Sequence, residues 1–153
     1  MAAKKRIILE KINEIEILCQ QEAELSERRK LLLKPVLHDV GLIPVIYKWF
    51  VEMCKCEAYK RCDIMESRRQ FIIIIIYLYS PQKLTGGKMK KGIRDVIQDT
   101  LNLSTPTLIS NNSKDLLFMY KTYIPFQNST DWLCEQILNR LKEAKYMRVE
   151  GNL

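Results

Sequence analysis

Lys83, Lys88, Lys90, Lys91 and Arg94 fall within twelve residues, with Gly86, Gly87 and Gly92 among them. Ammonium and guanidinium groups at that density, on a backbone that glycine makes pliable, offer one chemistry above others: neutralising phosphates and releasing their counterions. Arg68 and Arg69 extend the set upstream, and Lys114 extends it downstream. From Arg68 to Arg94 there are seven Lys or Arg and no Asp or Glu, leaving 18 basic and 18 acidic residues elsewhere. This stretch alone therefore accounts for the formal net charge of +7. A basic excess confined to one stretch is what a polyanion-binding surface looks like in a sequence; a solvated basic loop looks the same.

Other chemistries find less to work with. Gly87-Lys88 suggests a phosphate-cradling P-loop, but that motif needs a glycine where Gln82 stands and Ser or Thr where Met89 stands. Cys54, Cys56 and Cys62 form the one metal-like cluster; zinc needs a fourth ligand, and the single His38 lies 16 residues upstream of Cys54. The expectation is thiols without metal, in a reducing cytoplasm, since five Cys is an odd number and the chain is long enough to fold without staples. With one His, no paired carboxylates in an apolar context and no nucleophile motif, the expectation is no catalytic residue, no cofactor and no enzyme. His38 beside Asp39 reads as structural. Tyr120, Tyr123, Pro125 and Phe126 read as core packing, with base stacking as the rarer use of such a cluster. The N-terminus runs from Met-Ala-Ala-Lys-Lys-Arg into a charged pattern, unlike a secretory signal. The longest apolar run, Phe71 to Tyr79, is too short for a bilayer, which needs about 20 residues in a helix.

The basic stretch leads into a segment that reads as a helix-turn-helix near 92–112. Ile93, Val96, Ile97 and Leu101 give a first helix one apolar face, and Asn102 stands at the turn, where a left-handed residue is tolerated. Leu103 is the apolar plug, Ser104 the cap of the second helix, and Pro106 lies in its first turn. That helix would present Thr105, Thr107, Ser110 and Asn111 to base edges, with Lys83, Lys88, Lys90, Lys91, Arg94 and Lys114, joined by Arg68 and Arg69, on phosphates. Gln98 departs from the motif, which normally takes a small residue there, and Asn111 falls where a buried apolar residue is usual.

The strings Arg69-Gln-Phe, Tyr77-Leu-Tyr-Ser-Pro81, Gly86-Gly-Lys-Met89, Gly92-Ile-Arg94, Ile109-Ser-Asn111 and the spaced Phe118, Tyr120, Tyr123 and Phe126 together resemble uncharacterised proteins of prophages and conjugative elements. The order of helices over residues 67–141 is similar to the C-terminal DNA-binding domain of bacterial replication initiators. Where those initiators carry Arg-Asp-His-Thr, this chain has Asn102-Leu-Ser-Thr. The resemblance implies a DNA-binding module of a mobile genetic element.

The elements that must hold these residues read as helices throughout. Residues 4–33 lack Gly and Pro and carry Leu18, Leu25 and Leu32 at sevenfold spacing, with Ile8 and Ile15 at the second position before Glu22 and Arg29 break it. Packing on its own domain and pairing of two chains both remain open for this helix. Pro44 suits the first turn of a helix through Val45, Ile46, Trp49, Phe50 and Met53. The isoleucine run favours strands by type, but no other segment offers a partner strand, so 65–79 is assigned to a central helix. A last helix is expected from about Thr130 to Tyr146, capped by Asn128 or Ser129. The expected architecture is all-α: a multi-helix globular domain over 35–153, containing the helix-turn-helix, preceded by a long amphipathic N-terminal helix over 1–34. The expected partner is double-stranded DNA, with a homodimer through the N-terminal helix as an open second partner and no membrane. The competing expectation is a protein–protein adaptor, a phage or conjugation accessory factor with a solvated basic face.

Overall fold

The computed structural model describes residues 5–56, 64–104 and 113–147. Among them are six α-helices and no strand, so the chain is all-α: α1 (Ile7–Leu32), α2 (Ile43–Cys54), α3 (Ile64–Tyr79), α4 (Ile93–Leu101), α5 (Ser113–Thr122) and α6 (Ile124–Glu143). Single 3-10 turns cover Val40–Leu42 and Pro81–Thr85. The chain divides into two units, residues 1–34 and residues 35–153.

The first unit is α1. Its 26 residues include no buried side chain. Ile7, Ile8, Leu9, Ile12, Ile15, Ile17 and Leu18 are all exposed, and at 100° per residue they spread widely around the axis of the first half of the helix. Leu25, Leu31 and Leu32 are exposed in the second half. Arg29 and Lys30 in the last turn oppose the negative end of the helix dipole. Lys30 pairs with Glu27 at 3.2 Å on the open surface, where such a pair contributes little.

The second unit is built on α3. Phe71 through Ile76, Leu78 and Tyr79 are all buried, so this helix is apolar nearly all round and lies at the centre. The isoleucines accept helical geometry because their branched side chains are enclosed by α2, α4, α5 and α6 rather than by neighbouring strands. Phe71 meets the ring of Tyr47 edge-on at 4.9 Å and that of Phe50 at 5.4 Å. Gln70, fully buried at the near end of the run, donates from Nε2 to Ser129 Oγ of α6 at 3.0 Å.

The connector into this unit is strapped to the far end of α3. Both the Val36 and Leu37 amides donate to the Leu78 carbonyl, at 2.9 and 3.0 Å. The Tyr79 hydroxyl donates to the Asp39 carbonyl at 2.6 Å, and burial raises its phenol well above the usual range, with the Asp39 charge adding to the shift. Asp39 Oδ1 in turn accepts from the Gly41 amide at 2.9 Å, and Pro44 sits in the first turn of α2.

One helix boundary differs from the expectation. The last helix begins at Ile124, six residues before Thr130, and ends at Glu143. Pro125 fixes the first turn with its own φ, and extended Tyr123 (φ −103°, ψ 99°) is the single residue separating α5 from α6. Asn128 and Ser129 therefore lie inside the helix and cap nothing. The Thr130 hydroxyl donates back to the Phe126 carbonyl at 2.7 Å.

Candidate nucleic-acid interface

The basic loop is shaped from below by the end of α3. Buried Ser80 closes that helix, and Pro81–Thr85 turns the chain through one 3-10 segment that ends at left-handed Gly86 (φ 91°). Gly87 then donates from its amide to the Gln82 carbonyl at 2.8 Å, an approach so close that a Cβ on residue 87 would stand 2.7 Å from that oxygen. Leu84 and Met89 pack against the core, and the Lys90 amide donates to Ser80 Oγ at 2.9 Å. Among and just after these anchors the Lys88, Lys90 and Lys91 side chains are exposed. Gly92, also left-handed, starts α4, and Arg94 is exposed in its first turn. The result is four exposed cations within seven residues, on a backbone pinned at both ends. Exposed Asp95 is the first acid after them.

The α4 helix and the turn after it have the geometry expected of the first half of a helix-turn-helix. Ile93, Ile97 and Leu101 are buried and Val96 is half-buried. Asn102 is left-handed (φ 54°, ψ 46°), and the two amides that close the turn run from Asn102 to the Asp99 carbonyl at 3.2 Å and from Leu103 to the Gln98 carbonyl at 3.0 Å. Gln98 has a role that sequence reading missed. Its Nε2 donates to the Leu103 carbonyl at 3.3 Å, so the side chain that departs from the motif is a staple across the turn. Leu103 packs half-buried on the core, and Ser104 is exposed. Thr105, Thr107, Ser110 and Asn111, the expected base-reading residues, lie outside the described residues.

The remaining expected phosphate-binding residues are distributed differently. Lys83 is half-buried within the 3-10 turn, and Lys114 is exposed on the first turn of α5. Arg68 and Arg69 lie toward the other end of α3 and are half-buried. The Arg68 side chain borders a hollow beside Tyr47 and Phe50, and the Arg69 guanidinium donates to Met119 Sδ at 3.7 Å. Since the Lys90 backbone is tied to Ser80, eleven helical residues from Arg69, the two sets stand roughly 16 Å apart. The structure thus gathers Lys88, Lys90, Lys91 and Arg94 and leaves Arg68 and Arg69 apart.

The other candidate groups take structural places. Cys54 is half-buried and Cys56 exposed at the end of α2, while Cys62 lies outside the described residues. Among the described residues no group of three His, Cys, Asp or Glu could hold a metal ion. Of the aromatic cluster Phe126 belongs to the core and half-buried Tyr120 packs against it while donating to Asp131, whereas Tyr123 and Pro125 are exposed. No helix of the described residues is long and apolar enough to cross a membrane. No family model, no curated protein and no solved structure matches the chain.

Proposed function

We propose that the protein is a non-enzymatic, cytoplasmic, duplex-DNA-binding protein of a mobile genetic element. The observation that carries the reading is the pinned loop presenting Lys88, Lys90, Lys91 and Arg94 at the start of α4, the helix whose other end carries the left-handed Asn102 turn. The four cations neutralise backbone phosphates, assisted by Lys114, while the segment after Ser104 enters the major groove with Thr105, Thr107, Ser110 and Asn111. Four phosphate contacts correspond to a salt slope of about −3.6 for B-form DNA, and each lysine lost removes about 0.9. Fluorescence anisotropy of a labelled duplex at several salt concentrations tests this. Lys90→Ala with Lys91→Ala should weaken binding evenly across sequences and flatten the slope by about 1.8. Asn111→Ala should lose discrimination at one base pair, by about 1–3 kcal/mol. No binding at low salt ends the reading.

A second observation, the exposed aliphatic surface of α1, bears on both this reading and the rival protein–protein adaptor. We propose that this surface pairs two copies of the chain through the Leu18, Leu25 and Leu32 series, which serves a two-fold DNA site as well as an adaptor. Sedimentation equilibrium at tens of micromolar should give a dimer; a monomer removes the pairing.

A further inference from the structure

A cavity of about 530 Å³ opens between α3, α5, α6 and the Pro81–Thr85 turn. That volume suits a drug-sized molecule. Its wall is aliphatic, formed in the main by Ile73, Ile74, Leu117 and Leu138. Such a wall favours an apolar occupant over water. The mouth differs in character. Tyr77 is the one exposed residue between Phe71 and Ser80, at 40%, and marks where the central helix is left uncovered. Tyr120, Lys121, Asp131 and Glu135 complete the rim.

Asp131 and Glu135 stand one turn apart on α6, so their carboxylates share a face. Neither takes part in an ion pair among the described residues. The Tyr120 hydroxyl donates to Asp131 Oδ1 at 2.5 Å, which fixes one of the carboxylates beside a tyrosine ring. Two acids against one lysine give the mouth a local charge opposite to that of the whole chain. Paired carboxylates with two tyrosine rings, over an apolar chamber, are complementary to a delocalised positive charge on an apolar body.

We propose that this cavity is a binding site for a lipophilic cation, its apolar body against Ile73, Ile74, Leu117 and Leu138 and its charge between the tyrosine rings and the carboxylates of Asp131 and Glu135. An anionic amphiphile meets two carboxylates and a single lysine, and a neutral one gains nothing from the rim. The site is independent of the DNA-binding reading and stands or falls without it.

The test uses the full chain and three fluorescent probes: cationic rhodamine 6G, anionic 1-anilinonaphthalene-8-sulfonate and neutral Nile red. Rhodamine 6G should bind saturably and more tightly than the other two. It should also slow alkylation of Cys134, whose side chain borders the cavity. Asp131→Asn with Glu135→Gln should weaken rhodamine 6G about tenfold, or about 1.4 kcal/mol, and leave Nile red and the circular dichroism spectrum unchanged. Leu138→Trp, which fills the chamber, should remove binding. Equal affinity for the anionic or neutral probe, equal affinity in the double variant, or binding that leaves Cys134 as reactive as before overturns the proposal. The double variant keeps the test decisive where Leu138→Trp fails to fold.

Discussion

Asn102 shows how much of a turn rests on one side chain. A left-handed backbone costs most L-residues about 1–2 kcal/mol, and asparagine tolerates it better. Asn102→Ala should therefore lower the urea midpoint by the equivalent of about 1 kcal/mol, while Asn102→Gly should sit close to the parent. Cys134 makes a second residue-scale prediction. Burial, reinforced by the Asp131 charge, pushes its thiol from 9.0 up to about 12. Exposed Cys19 and Cys56 should react with iodoacetamide at pH 8 well before Cys134, as peptide mass spectrometry would read. The sign for stability follows from which state keeps its proton. Between pH 9 and 12 the unfolded thiol ionises while the folded one stays neutral, so the contribution is complete below pH 9 and is lost as pH rises toward 12. Tyr120, pushed up to about 12 by burial and then by its bond to Asp131, acts in the same direction from pH 10. Urea midpoints should fall across this window, and less steeply in Cys134→Ala.

At the scale of elements, the central helix follows from the mismatch between isoleucine's preference and the absence of any partner strand. Ile75, fully buried at its middle, should cost about 2–5 kcal/mol as Ile75→Ala, measured by denaturant unfolding. The first half of the turn motif was equally legible, because apolar spacing and an asparagine at a helix end are local signals. The start of α6 was not. Asn128 and Ser129 are good caps in type, yet Pro125 acts three residues earlier and the buried Phe126 commits the chain to the helix before either is reached. Gln98 was misjudged for a related reason, since a rule about size at that position carries no information on a hydrogen bond to Leu103. The cation set was legible as a group but not as a place. Sequence adjacency cannot reveal that the rest of α3, which runs on to Tyr79, holds Arg68 and Arg69 away from the loop they precede. The cavity left no trace at all, because it forms where α3 and its following turn meet the distant α5–α6 pair, and the apolar residues of each look like any other core.

For the whole molecule, the two units differ in how they hold themselves together. Residues 35–153 enclose a core around α3, whereas α1 relies on local hydrogen bonds and buries nothing within its own unit. Removing residues 1–34 should leave the core's cooperative unfolding intact, as near-ultraviolet circular dichroism against temperature would show. The bareness of α1 also has a calorimetric consequence. A solitary helix of 26 residues frays from its ends without a sharp transition, so it should contribute a sloping baseline beneath the single peak of the larger unit. Two such helices wound together melt as a bimolecular event instead, with a midpoint that climbs as protein is added. Heat-capacity scans at two concentrations a decade apart thus separate the two states of α1, because one peak moves and the other stays where it was.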